Sequence, residues 1–462
     1  MREQLVAAAE RGRPLLLSGA TVLALDPVQP DLPRGDVLVV GEKIEAIGLD
    51  LAEAAESLGA LRLEMAGKIV LPGFVDTHRH CWQNQFRRYM SDNTIEEYMV
   101  NAHDVLAPAY LPEDVYAGCL LSAWGAIDSG VTCVLDFMHN ARTLEHSEAA
   151  IDGFEDVGIR AVHGAGPPAK GEWDERWLEN VELLREQRLR SDDGLITLRL
   201  APFGYPDIEQ PDKTLSPELL ALARRLGIGV VVDAVLGPNA GKLVAALGAA
   251  DLLGPDVTLI HCTEVGDVAW DAIAASETAV ALCPTSDSQL GIHDAVPPLQ
   301  QALDRGLLPG LSVDVECSLS TDFFAQMQAI LTIQRMLSFR AAAAGEGEAD
   351  PVAVREVLRM ATVGGARCNG LADRVGTLAP GKQADLIAIG AEDVNTMPLN
   401  NAAATVVLGA DSRNVQLTMI AGKPLKWEQE LIGCDLEALR ELVVGSRDRL
   451  LERAGRGLDV TG

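Results

Sequence analysis

A chain of 462 residues has room for a barrel of roughly 250 to 300 residues plus an accessory module, and a composition that is 48% hydrophobic and 23% charged with 43 Gly and 23 Pro is that of a turn-rich globular protein. Thirty-eight basic against 67 acidic residues leave a net charge of −29, which excludes nucleic acid and anionic membranes as partners, because such binding rests on Lys and Arg neutralising phosphates. No run of about 20 apolar residues suits a bilayer, the N-terminus lacks the ordered parts of a secretory leader, and eight widely spaced cysteines without a CxxC pair read as reduced thiols, so the expected location is the cytoplasm.

In chain order, PLLLSGATVLALD and GDVLVVGEKIEAIG within residues 14–48 alternate as antiparallel strands do. Between residues 68 and 314 follow eight short β-rich runs: KIVLPGFVD, VTCVLDF, IRAVHGA, ITLRLAP, IGVVVDA, VTLIHC, AVALCP and LPGLSVD. Amphipathic stretches such as PEDVYAGCLLSAWGAID (112–128) and SPELLALARRL (216–226) separate them, which is the rhythm of βα units around a parallel sheet. Eight units predict an α/β fold of the (β/α)8 TIM-barrel type. Residues 341–350, AAAAGEGEAD, read as a helix-to-helix turn, and GTLAPGKQADLIAIG and NVQLTMIAGKPLKW (376–427) as further antiparallel strands. Both chain ends can therefore join in a small β-sandwich domain, closed by an amphipathic helix over 435–453. The expected division is a composite β-domain of residues 1–68 and 374–462 and a catalytic barrel of residues 69–373.

Catalytic side chains of such barrels come from the C-terminal ends of the strands. The residues closing the runs include Asp76, His78, His80, Asp136, His139, Asp233, His261, Cys283 and Asp314. In Pro72-Gly73-Phe74-Val75-Asp76-Thr77-His78-Arg79-His80, residues i and i+2 share a face, so His78 and His80 can offer two imidazoles to one metal ion while Arg79 points away. A carboxylate at Asp314, ending the eighth run, would reach the barrel axis as a hard oxygen ligand, and His261 ends the sixth. A structural role as a hydrogen-bonded histidine is the plainer reading for His163 at the end of the third run.

On these motifs the chain resembles the amidohydrolase superfamily, and within it the cytosine/guanine deaminase and triazine hydrolase branch. PGFVDTHRH is similar to that branch's strand-one metal motif, LIHCTEVGD to its strand-six histidine, ALCPTSD to its strand-seven CPxSN, GLSVDVE to its strand-eight GxGxD, and GTLAPGKQADLIAIG to its return into the β-domain. The resemblance implies a metal-dependent hydrolase in which His78, His80 and Asp314 bind one divalent ion, zinc first with manganese or iron as alternatives. It also implies that His261 contacts substrate or the attacking water, that the substrate is a small molecule, and that the chain forms a homo-oligomer, most simply a homodimer.

The chain departs from that pattern at strand five, where the branch carries HxxE as third imidazole and proton shuttle. Here the run reads VVVDAVLG, with Asp233 at the histidine position and Leu236 at the glutamate position, and no histidine lies between His163 and His261. CPTSD likewise has Asp287 in place of the usual Asn. Three readings follow. Asp233 is a ligand and the donor set is two imidazoles and two carboxylates, a harder set that admits Mn2+ or Fe2+ as well as Zn2+. Alternatively Asp233 is the missing acid/base beside an ion held by three residues, or the metal is lost and the pocket is a degenerate, metal-free site for binding or a non-hydrolytic step. In the hydrolytic reading Asp314, His261 and Asp233 are the catalytic candidates, with Glu264 a further carboxylate. Gln83 matches the position of a base-recognition glutamine, Trp82 beside it can stack on a flat ring, and His139 is a further substrate contact. Arg87 and Arg88 can meet a substrate carboxylate or pair with acidic neighbours.

Overall fold

The computed structural model describes residues 1–170, 176–205 and 213–461. Its centre is a closed barrel of eight strands in sequence order: Phe74–Arg79, Val131–Met138, Arg160–Ala165, Ile196–Leu200, Gly229–Leu236, Val257–Thr263, Ala279–Leu282 and Gly310–Leu311. These are called the first to eighth barrel strands below. Strands three to eight pair in parallel register. The first three strands are buried along their whole length, as the continuous apolar runs of a parallel sheet covered on both faces require.

The helices between them carry their own start and stop signals. The helix Pro217–Leu226 begins on Ser216, whose side chain accepts from the Leu219 N–H, has Pro at its first position, and stops at Gly227 with φ +64°. The stretch read as a helix over 112–128 is one, Pro112–Asp128. The C-terminal helix Leu436–Arg453 starts on Asp435, which accepts from Glu437 and Ala438. It docks through Ser446, which donates to Asp114 at 2.7 Å, and Arg453, which also pairs with Asp114.

A second sheet of nine strands is drawn from both chain ends, with Lys68–Pro72 and Leu386–Gly390 joining the two contributions in antiparallel register from Leu386↔Pro72 to Gly390↔Lys68. The period-two alternation divides its residues between faces. Leu15, Leu17, Val37, Val39, Leu386 and Leu417 share one core, while Leu16 and Leu38 pack with Ala55 in another. The run KIVLPGFVD, expected to be one barrel strand, is two. Its first half belongs to this sheet and its second half to the barrel. Gly73 stands at the break and packs closely there, since a Cβ would stand 2.2 Å from the Thr132 side chain. The chain forms two compact units, Met1–Asp76 with Gly125–Cys133 and Asp322–Gly433, and Thr77–Trp124 with Val134–Thr321 and Cys434–Gly462. The candidate metal ligands and the residues lining the cavity beside them all lie in the second.

Candidate active site

His78 and His80 leave the first barrel strand on one side, and both are buried. Arg79, between them, turns the other way into an ion pair with Glu316, both side chains being inaccessible. Glu316 also accepts from Arg87 at 2.7 Å and Ser122 at 3.3 Å. The pairing alternative for Arg87 is thus the one realised, and it anchors the segment after the eighth strand beside the first. Around the rim the backbone is strained: Ala234, His261 and Asp314 are non-glycine residues with φ of +55°, +69° and +65°, a region L-residues seldom adopt and one that concentrates at functional sites.

The fifth strand shows what this irregularity does. Its register against the sixth runs Val230↔Val257, Val231↔Thr258, Val232↔Leu259 and then Val235↔His261, three residues advancing against two. This is a β-bulge, and bulges re-aim side chains. The bulged residues are Asp233 and Ala234, and Asp233 Oδ1 comes to 3.7 Å from His78 Nε2 and 3.3 Å from His261 Nε2.

Asp314 Oδ1 stands 3.2 Å from His78 Nε2 and 3.2 Å from His80 Nε2, and Asp233 Oδ2 3.9 Å from His80 Nε2. The ligand atoms of His78, His80 and Asp233, and separately those of His78, His261 and Asp314, lie within 4.8 Å of one another. A tetrahedral ion with N and O ligands at about 2.0–2.2 Å needs ligand atoms about 3.3–3.6 Å apart, so the donor set fits a divalent ion in both spacing and chemistry. The ring orientation agrees. His80 donates from Nδ1 to the Phe137 carbonyl at 3.2 Å, which leaves Nε2 with its lone pair toward the cluster, the usual second hydrogen bond of a metal-ligating imidazole.

Burial opposes charge on every group here; it prevails at Asp287, whose carboxyl it raises, but not at Asp314 and Asp233. It pushes the Asp314 carboxyl up, but the facing imidazoles of His78 and His80 outweigh it and hold the group well below its ordinary value. Asp233 is likewise pushed up by burial and pulled down further by His78 and His261, ending below its ordinary value. For His261 burial lowers the pKa, while Cys283, Asp287 and Asp233 raise it well above the ordinary imidazole value. Its Nδ1–H donates to Asp287 Oδ1 at 2.7 Å, so the residue that stands where the branch has Asn gives His261 a buried carboxylate partner.

The cluster opens into a cavity of about 920 Å3 lined by His80, His139, Asp233, His261 and Asp314. Leu236 also lines it, so an alkyl side chain occupies the wall where the branch places its glutamate. His139 faces the cavity with its ring stacked on that of His80, centroids 3.9 Å apart. Trp82 and Gln83 are not among the lining residues. Both are buried behind the wall, where the Trp82 indole donates to His139 Nδ1 at 3.1 Å and the Gln83 amide donates to the Tyr98 hydroxyl at 2.8 Å. Asp76 is fully buried, and its carbonyl accepts from Asn369. His163 pairs with Asp136 at 3.3 Å, both fully buried. Glu264 sits half-exposed, its carboxylate 3.0 Å from His293 Nδ1. Several cavity residues had no mark in the sequence, and one of them is a histidine. His103, in the helical turn Met99–Leu106, reaches the wall beside His139 with ring centroids 4.6 Å apart. No spacing rule links it to the strand ends.

Comparison with known proteins follows the same lines. The model of the "Amidohydrolase family" matches residues 69–425. Among similar sequences, a 5-methylthioadenosine/S-adenosylhomocysteine deaminase of Syntrophobacter fumaroxidans is 28% identical over 457 residues, 93% of this chain and 96% of that protein. A 5'-deoxyadenosine deaminase of Methanosarcina mazei is 27% identical over 455 residues, 95% of this chain and 99% of the other. Among solved structures, an adenosine deaminase from Xanthomonas campestris with bound zinc superposes with a TM-score of 0.78 at 23% identity, covering 95% of this chain and 98% of that one. The atrazine chlorohydrolase of Arthrobacter aurescens TC1 complexed with zinc does so with a TM-score of 0.80 at 19% identity, covering 94% and 100%. At these identities the structural likeness speaks for the fold.

Proposed function

The chain belongs to the amidohydrolase family, and from that premise we propose that it is a metal-dependent hydrolase acting on a C–N or comparable bond of a small, nitrogen-containing or aromatic molecule. The observation that carries the reading is the convergence of His78, His80, Asp233 and Asp314, from the ends of three barrel strands, at spacings that suit one ion. These four hold the metal, zinc in the first instance and manganese or iron as alternatives that the two carboxylates would accept. When bound, such an ion supplies Lewis acidity and acidifies water. The relatives named as 5-methylthioadenosine/S-adenosylhomocysteine and 5'-deoxyadenosine deaminases support nitrogen heterocycles as the substrate class, and the cavity volume is within the range of small-molecule sites.

The chain's own groups divide the remaining work. Asp314, ionised and within reach of both strand-one imidazoles, takes the proton of the attacking water. His261, held by Asp287 with its Nε2 toward the cluster, stabilises the negative charge that develops on the substrate. With Leu236 in place of a glutamate, the leaving group's proton comes from within the same cluster, from Asp314, Asp233 or His261. The reading extends to a cytoplasmic, homo-oligomeric enzyme, the former supported by eight free cysteines.

The test is metal content by inductively coupled plasma mass spectrometry on protein purified without added metal or chelator, beside His78→Ala, followed by turnover of amino- and halo-substituted purines and triazines. About one ion per chain, lost in the variant, together with release of ammonia or halide, is the expected result. Absence of metal after incubation with Zn2+, Mn2+ and Fe2+ would overturn the proposal and favour a metal-free binding site.

A further inference from the structure

The wall of the cavity next to the candidate metal ligands carries two histidines whose protons are placed by buried donors. Indole Nε1 is only ever a donor, so the 3.1 Å contact from Trp82 Nε1 obliges His139 Nδ1 to present its lone pair. The His139 proton therefore sits on Nε2. That atom has no partner among the described residues, although the ring is 3% exposed and lines the cavity. A second chain of hydrogen bonds fixes His103. The Cys317 thiol donates to Gln83 Oε1 at 3.2 Å, Gln83 Nε2 donates to the Tyr98 hydroxyl at 2.8 Å, and the hydroxyl's own proton has one acceptor among the described residues, His103 Nε2 at 3.3 Å. With the Gln83 amide in this orientation His103 carries its proton on Nδ1, and this ring too is buried and lines the cavity.

We propose that His139 and His103 form a donor-only recognition wall, with Trp82 and the Cys317–Gln83–Tyr98 chain as positioning residues. The wall selects a substrate that turns hydrogen-bond acceptors, ring nitrogens or carbonyl oxygens, toward it. The rings are 4.6 Å apart and nearly perpendicular, at 80°, so two acceptors on one edge of a heterocycle can be served together. An amino or N–H group on that edge meets two donors with no lone pair to receive it and is rejected, because a polar group buried without a partner costs far more than the bond it replaces contributes. The substrate class rests on the hydrolase reading above; the tautomers do not.

The experiment has two arms. Nitrogen-15 correlation spectra of the full chain labelled at histidine, with signals assigned by His139→Gln and His103→Gln, report which ring nitrogen carries the proton. Nε2–H for His139 and Nδ1–H for His103 are expected, with His139 shifting toward mixed tautomers in Trp82→Phe and His103 in Tyr98→Phe. The opposite tautomer for His139 in the unsubstituted chain overturns the proposal, whatever the substrate proves to be. In the second arm, calorimetry measures binding of purine and of its 1-, 3- and 7-deaza analogues, each of which loses one acceptor nitrogen. One replacement should weaken binding roughly 10-fold or more in the unsubstituted chain and have no effect in His139→Leu. Equal binding of all four, a discrimination that survives in His139→Leu, or no binding of any purine overturns the recognition role. If metal content and turnover fail while the tautomers stand as assigned, the hydrolase reading falls and the donor wall remains.

Discussion

Asp287 Oδ1 accepts the Nδ1–H of His261 at 2.7 Å, a buried contact between the start of the helix after the seventh barrel strand and the end of the sixth. The carboxylate fixes which nitrogen of His261 faces the cavity and favours its charged form. Asp287→Asn keeps the shape and removes the charge. We expect kcat/KM to fall roughly 10- to 100-fold, the range for partners that orient functional groups of metal sites, with metal content unchanged. Steady-state kinetics and metal analysis on one preparation decide it, and a loss of under about twofold would remove Asp287 from the chemistry.

Glu316 makes a stability prediction with a pH sign. Burial pushes its carboxyl up, but Arg87 and Arg79 outweigh burial and hold it below its ordinary value of 4.5. A carboxyl lowered on folding contributes stability that is complete above the unfolded pKa and is lost as pH falls through the folded one. Glu316→Gln leaves the inaccessible Arg79 without its counter-charge and should cost about 3 kcal/mol near neutral pH. The difference from the unsubstituted protein should shrink below pH about 4. Denaturant titrations across pH give both quantities, and a constant difference down to pH about 3 would contradict the assignment.

Gly241 is required by close approach. In the helix Gly237–Ala249, a Cβ at this position would fall 1.9 Å from the Val265 carbonyl oxygen and 2.7 Å from its carbon. Backbone cannot swing aside as a side chain does, so Gly241→Ala must displace the helix from the end of the sixth strand. We expect a loss of about 1–3 kcal/mol, read by urea unfolding, and a lower Tm. An unchanged midpoint would mean the helix has room the structure does not show.

Asp233 is where metal preference is set. Replacing one of two carboxylates by imidazole softens the donor set, so Asp233→His should shift loading toward Zn2+ when Zn2+, Mn2+ and Fe2+ are offered together in limiting amounts. Metal ratios by mass spectrometry measure the shift. An unaltered ratio would place Asp233 outside the donor set and leave it the acid/base role.

Much of this protein was legible before any coordinates. The eight apolar runs follow from burial on both faces of a parallel sheet and the amphipathic stretches between them from the 3.6-residue period. The period-two alternation of a strand placed His78 and His80 on one face and Arg79 on the other, and the structure shows them so. The rule that barrel chemistry sits at the C-terminal strand ends picked out Asp233, His261 and Asp314, whose polar atoms do converge.

Other features depend on neighbours distant in sequence. KIVLPGFVD reads as one strand because nothing local marks where it changes partner; Leu386–Gly390 claims its first half. Trp82 and Gln83 follow His80 directly and read as substrate contacts, but the turn Cys81–Phe86 packs them behind the wall, where they hold His139 and Tyr98. His103 reaches the cavity from Met99–Leu106, a helical turn outside the barrel strands that contributes to the cavity lining. Sequence determines which way a side chain faces from its own strand, since that follows from backbone geometry within a few residues. Which side chains meet, at what distance and with which proton on which nitrogen, is decided by barrel closure, bulges and long-range packing.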